Sequence, residues 1–310
     1  MFNLEEKSIK ECIRALEYIK GVFQNLLDEE NKKPGPPPVD HLRSITNLRL
    51  MAKSSEWPFA VPPDLICGED DNSKINRATN IVQEFLKDFD LNDKKVLDFG
   101  TGEGYVPYVI ANLNQTKLAM GYDIEWQNWS EFFERNKALN NFGITDKFEE
   151  IIMRGPYDII ILNDVLDHVK DPLETMQKIK DIKAEGGKIV MRCHPWTSRH
   201  GSHIYKQLNK AYLHLVFSSD ELYAMGLKEM PTTKILDPMS YYRGIIDQME
   251  LKILKEEIIN YPVDLFFSKH EEIMRRIKDK FSSSLDPDYQ QGTKFPREIL
   301  EIQFVDYVLE

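Results

Sequence analysis

Two groups of residues in this chain have the types and spacing for chemistry. The first lies in VLDFGTGEGY, residues 96–105, where Gly100, Gly102 and Gly104 alternate with other residues two positions after Asp98. Glycine lets a backbone turn through left-handed conformations and lets a ligand come close with no side chain in the way. Such a turn after an apolar run often cradles a phosphate, but here Asp98 and Glu103 would repel an anion. Asp123 ends the next apolar run, 23 residues after Gly100, and an acid so placed can accept both hydroxyls of a ribose. The implied ligand carries a ribose and a group that welcomes negative charge.

The second group is RCHPWTSRHGSHIY, residues 192–205. It holds His194, His200 and His203 and, with His214, accounts for four of the seven histidines. A neutral imidazole takes up a proton near pH 7, so one of the three is expected to act as a base or to orient an acceptor. Trp196 and Tyr205 are expected to wall the site, and Arg192 and Arg199 to hold an anionic substrate group. A metal held by His200-x-x-His203 with Cys193 or His194 is a weaker reading, because the spacing is loose and no acid lies nearby in sequence; no metal is expected. The histidines also make sense as loop and cap residues that satisfy local backbone.

The elements that position these groups follow from periodicity. Residues 76–89 read as an amphipathic helix, 95–99 as a short buried strand and 105–113 as a helix. A strand at 118–123, a helix at 129–141 and a weak strand at 148–153 follow. Residues 157–162 (YDIIIL) form a strong strand, Asp171-Pro172 opens a helix lasting to about 182, and Gly186-Gly187 turns into the strand KIVMRCH. Strands alternating with helices imply right-handed crossovers and a parallel sheet covered on both faces. Residues 251–259 and 299–309 supply candidate strands to close it, and 206–217 a further helix. The fold class is therefore α/β: a doubly wound, mostly parallel seven-stranded sheet with helices on both faces, an N-terminal helix and a helical insertion after the fifth strand.

VLDFGTGEG after the first strand, GYD at the end of the second, YDIIILNDVLDHVKDP as the fourth with its turn, and GGKIVMR as the fifth together resemble the class I S-adenosylmethionine-dependent methyltransferases over residues 76–194. The resemblance implies a Rossmann-like domain, S-adenosylmethionine as cofactor and methyl transfer to an oxygen or nitrogen. Carried over by position, Asp98, Gly100 and Gly102 line the methionine moiety, with Phe99 and Thr101 in the same loop. Asp123 takes the ribose, Ile124 lies beside the adenine and Asn163 lies under the sulfonium. Asp167 and His168 match a V-L-E-H pattern that shapes the turn. Members often have an acid after the third strand, near the adenine amino group; the strand expected at 148–153 runs straight into MRGPYD and offers none. A nicotinamide-dependent oxidoreductase is a rival, opposed by Glu103 and by the G-x-G-x-G spacing. A non-catalytic binding protein on the same fold is another.

Composition sets the outer bounds. The chain has 310 residues, 42% hydrophobic and 29% charged, and a formal net charge of −11. That balance argues against general nucleic-acid binding, so a small-molecule acceptor is favoured. Cys12, Cys67 and Cys193 form no disulfide pattern. With a polar start and no apolar run of roughly 20 residues, a cytoplasmic, non-membrane protein is expected. Residues 1–33 are expected to form a helix whose seam (Ile9, Cys12, Leu16, Ile19, Phe23, Leu26) packs in its own chain or in a homodimer. Residues 34–75 read as a proline-rich linker and irregular arm, and 76–310 as the methyltransferase domain, with 196–250 as a substrate-side insertion.

Overall fold

The computed structural model describes residues 39–310, apart from 67, 114–115, 126–129, 137, 283–288, 291–294 and 296. The expected N-terminal helix, its dimer seam and most of the proline-rich linker lie outside the described residues. The described residues fall into two units that divide between Lys53 and Ser54. In the first, an irregular arm was expected, yet Val39–Ala52 forms helix α1. Its buried side chains Ile45, Leu48 and Ala52 are three and four residues apart, the spacing of one helical face.

The second unit is built on one sheet. In chain order it contains α2 (Asp71–Leu86), β1 (Lys95–Phe99), α3 (Tyr105–Asn112), β2 (Leu118–Tyr122), α4 (Ser130–Asn136), β3 (Phe142–Thr145), α5 (Phe148–Arg154), β4 (Tyr157–Asn163), α6 (Pro172–Ile182), β5 (Lys183–Cys193), α7 (Pro238–Gln248), β6 (Ile253–Asn260), α8 (Glu271–Ser282) and β7 (Ile302–Leu309). The sheet has seven strands in the order β3-β2-β1-β4-β5-β7-β6. Its pairings are parallel from β3 to β5, while β7 runs antiparallel to both β5 and β6.

Alternation within each strand sends side chains to two cores. Leu97, Ile160 and Met191 pack on one face with Met176 and Ile179 of α6. Val96, Ile159, Ile161 and Val190 pack on the other with Val82 and Phe85 of α2 and Ile110 of α3. The order reverses between β1 and β4, and a crevice at that reversal is where such a sheet places ligands. Among the described residues no helix is long and apolar enough to cross a membrane.

Two local readings need correction. The third strand is Phe142–Thr145, and residues 148–154 form α5 instead. In FEEIIMR only Ile151 is buried, while Ile152 and Met153 are 56% and 76% exposed; one inward residue per turn is a helical pattern. The helix expected at 206–217 shrinks to a 3₁₀ turn at Ile204–Lys206 and one turn at Leu213–Val216. Between them, residues 209–211 bond to a strap at residues 54–61. The Lys210 ammonium donates to the Ser54 and Trp57 carbonyls, and the Trp57 indole donates to the Ala211 carbonyl. Asn209 exchanges hydrogen bonds with both backbone groups of Val61, and the Ala211 amide donates to Pro58. Ser218 caps the next helical turn with Glu221 in a reciprocal capping box, as its sequence implies.

Candidate active site

The glycine turn after β1 is held by backbone. The Gly100 and Thr101 amides both donate to the Tyr122 carbonyl, at 2.7 and 3.0 Å. All three glycines adopt positive φ, between 56° and 84°. They differ in what surrounds them. A Cβ on Gly104 would lie 2.0 Å from Ile144 Cδ1, and one on Gly100 would lie 2.6 Å from Val165 Cγ2. One on Gly102 would meet nothing within 4 Å. Gly104 and Gly100 therefore bring the turn against β3 and the loop after β4, while Gly102 faces the open crevice.

The two acids near this turn have separate roles. Asp98 is buried, 3% exposed, and burial raises its carboxyl pKa to about 7, with Asp123 adding to the rise and the Thr101 hydroxyl opposing it. Glu103 pairs with Lys74 of α2 at 2.8 Å, so its charge is met from outside the crevice. Asp123 sits at the end of β2, where its two carboxylate oxygens accept from the Gly102 and Glu125 amides, each at 2.9 Å. Phe99 supplies only backbone here, since its ring packs on Tyr122 in the core. Ile124 is 76% exposed, next to Asp123. Asn163 ends β4, paired with Arg192 of β5, and the following Asp164 amide donates to the Arg192 carbonyl.

This set fits S-adenosylmethionine. The site offers a buried carboxyl short of a cation, an acid after β2 bonded to the turn, and a middle glycine that leaves room for close approach. It does not fit a dinucleotide pyrophosphate, which the buried Asp98 would oppose.

An acid missed in the sequence lies in the same row. With β3 ending at Thr145, Asp146 stands directly after the third strand, and its charge acts on the nearby Tyr122 hydroxyl. The missing signal was the position of β3 itself.

The segment after β5 is mostly interior. His194 is 2% exposed, its Nε2 3.0 Å from Ser198 Oγ, which in turn lies 3.2 Å from His200 Nδ1. The rings of His194 and His203 are 5.0 Å apart, as are those of His203 and His168. Tyr205 packs beside His200 and His203, within the electrostatic reach of Arg77 and Asp164. The structure thus does bring His194, His200, His203 and Tyr205 together. Burial, reinforced by neighbouring cationic groups, lowers the His200 pKa to about 3 and that of His203 to about 4. His194 is held well below its usual range for the same reasons. All three are neutral at pH 7 and weak as bases.

The other three expected substrate contacts are engaged elsewhere. Arg192 forks onto Asp306 of β7 at 2.8 and 2.6 Å, reaches Glu84 of α2 at 2.7 Å, and lies between the Phe85 and Phe304 rings. Trp196 is 1% exposed, packed edge-on against His214. Arg199 donates to the Phe59 carbonyl, pairs with Asp264 at 3.1 Å and covers the Tyr261 ring. These side chains hold the fold around the site, because both arginines pair with acids of the protein and Trp196 is packed in its interior.

The sheet order, the crevice and its acids define a nucleoside-cofactor transferase site, and known proteins narrow it. Residues 73–225 match the family model of a methyltransferase domain. This stretch is a class I S-adenosylmethionine-dependent methyltransferase domain. It is 28% identical over 158 residues, 49% of this chain and 47% of the other, to the tRNA U34 carboxymethyltransferase of Dichelobacter nodosus. It is 25% identical over 199 residues, 61% and 58% of the two chains, to the tRNA U34 carboxymethyltransferase of Helicobacter acinonychis. The chain thus spans about half the length of the curated relatives it matches. Among solved structures, a coclaurine N-methyltransferase superposes with a TM-score of 0.46 at 14% identity, covering 95% of this chain and 94% of that one.

Proposed function

We propose that this chain transfers the alkyl group of an S-adenosylmethionine-type sulfonium to a base of tRNA, with uridine 34 as the acceptor. One observation carries the reading: the curated relatives that match the domain share the name tRNA U34 carboxymethyltransferase. It replaces the small-molecule acceptor favoured by the net charge of −11 and withdraws the argument against nucleic acid. Net charge is a sum over the whole chain, whereas phosphate contacts need only a local group of cations. Arg77, an exposed residue of α2, and Lys206 offer such a group, since their charges act on Tyr205 and His203 of the acceptor side.

When bound, the cofactor supplies a carbon activated by the sulfonium for in-line displacement. The protein's own part is placement. Asp98 balances the cofactor's positive charge, Asp123 takes the ribose hydroxyls, and Asp146 reaches the adenine edge beside Ile124. Asn163 and Asp164 floor the crevice where β4 ends. His194, His200 and His203, neutral at pH 7, orient the acceptor base and keep water away, with Tyr205 beside them. Their weak basicity supports orientation over proton removal.

The test is transfer of label. The full chain is incubated with a donor labelled in the transferred group, bulk tRNA and, separately, a small-molecule extract. Label is expected in tRNA and lost from transcripts altered at position 34. Mass spectrometry of the nucleoside then tells a methyl from a carboxymethyl group. Label in the small-molecule pool, with none in tRNA, would overturn the proposal.

A further inference from the structure

Three side chains above the crevice share an unmet need. Asp167, on the turn after β4, is 2% exposed, and both its carboxylate oxygens are buried without a hydrogen-bond donor. His168 presents Nε2 to Asp167 Oδ2 at 3.3 Å. Its other nitrogen, Nδ1, lies 3.2 Å from the Pro231 carbonyl. A carbonyl only accepts, so Nδ1 carries a proton, and Nε2 is the nitrogen that faces the carboxylate. His203 adds a buried Nε2 with no partner. The ligand atoms of Asp167, His168 and His203 all lie within 4.8 Å of one another.

With each ring in the tautomer that a metal takes, these are three lone pairs converging in one place, and they repel unless something positive lies between them. One proton relieves a single pair, whereas a dication satisfies all three. From this convergence we infer that Asp167, His168 and His203 bind a divalent d-block cation of the zinc class. Two imidazoles and one carboxylate are the ligand set of such ions, and hard magnesium or calcium would ask for more oxygens. The distances fit. With bonds of about 2.1 Å, two ligands of a tetrahedral site stand ~3.4 Å apart; Asp167 and His168, at 3.3 Å, are close to that. His203, whose ligand atom lies within 4.8 Å of the other two, is the one that must move inward. The bond from His168 Nδ1 to the Pro231 carbonyl is the outer contact that commonly fixes a metal-bound imidazole. Three protein ligands leave a fourth position for water or an acceptor oxygen, as in catalytic zinc sites.

The set differs from the His200-x-x-His203 pair suggested by spacing. The acid absent there in sequence comes from the turn after β4, 36 residues before His203 by number. The inference stands whatever the acceptor is.

Binding is read without turnover. The full chain, stripped by chelator and shown folded by circular dichroism, is titrated with cobalt(II) and then zinc. One cobalt per chain is expected, with the visible absorption of a low-coordinate nitrogen–oxygen site, displaced by one zinc. Asp167→Ala and His203→Ala should weaken binding by more than the roughly 10–100-fold that loss of an outer contact costs. His168→Gln, at a side chain 28% exposed, carries the test if the buried variants do not fold. His270→Ala, outside the cluster, should bind as the parent does. Absence of stoichiometric binding at micromolar metal, or equal affinity in His168→Gln, would overturn the inference and leave an ordinary imidazolium–carboxylate pair.

Discussion

Asp98 shows how one buried carboxyl couples cofactor, proton and stability. Its folded pKa of about 7 lies above the ordinary 3.8. The folded protein therefore holds that proton more tightly than the unfolded chain does. Its contribution to stability is complete below the ordinary value and is lost as pH rises through 7. A cationic ligand reverses the preference, because it favours the carboxylate. Affinity for S-adenosylmethionine should thus increase from pH 6 to 8, with proton release visible in calorimetry as a heat that varies with the buffer. In Asp98→Asn this slope should flatten. A slope that persists would assign the proton to another group. The placement of Asp98, Asp123 and the glycines around one turn was legible in the sequence because it is set by neighbours within one strand–turn–helix–strand stretch. Arg192, Trp196 and Arg199 were not, because their partners are remote: Asp306 and Asp264 lie 114 and 65 residues away. A dense polar segment looked like a site, and half of it is scaffold.

The elements were read well where burial covers whole strands. The strands expected at 95–99 and 157–162 stand out by their apolar content, broken in each by a single aspartate, Asp98 and Asp158, as strands covered on both faces must. The reading failed at β3, a four-residue edge strand, and α5 took its place because isoleucines favour strands when taken singly. That one error concealed Asp146. The same edge constrains the glycine turn. Gly104 combines φ of +84° with a Cβ position 2.0 Å from Ile144 Cδ1 on β3. Gly104→Ala should therefore destabilise the protein by roughly 1–3 kcal/mol, measured by denaturant unfolding, and weaken cofactor binding with it. Gly102→Ala pays only the left-handed conformation in the free protein. It should lose cofactor affinity out of proportion to stability, because its missing side chain borders the crevice. Equal effects at the two glycines would contradict this division.

At the scale of the whole molecule, an overall negative charge coexists with cations at the acceptor side. If Arg77 and Lys206 meet phosphates, tRNA affinity should fall steeply with salt. The slope of log affinity against log salt should decrease by about one for each of Arg77→Ala and Lys206→Ala. Cofactor affinity, measured on the same variants, should be unchanged. Unaltered slopes would move the RNA path to another surface. The fold class was legible from the alternation of strands and helices, but the acceptor was not. Composition averages over the chain, and a substrate meets only one side of it.

The strap at residues 54–61 bears on how the chain is made. Trp57 and Ala211 are joined across 154 residues, and the ammonium of Lys210 reaches back 156 and 153 residues to the carbonyls it binds. During synthesis at about 5–20 residues per second, Trp57 is translated roughly 8–30 s before the residue that receives its indole proton. Over that interval its large apolar ring has no native berth, while β1 to β5 and their helices are all produced in between. The strap closes over a sheet that still lacks β6 and β7, and the ring's last neighbours, Phe266 and Phe267, come later still, so a nascent chain stalled before residue 211 is expected to leave this tryptophan exposed to chaperones.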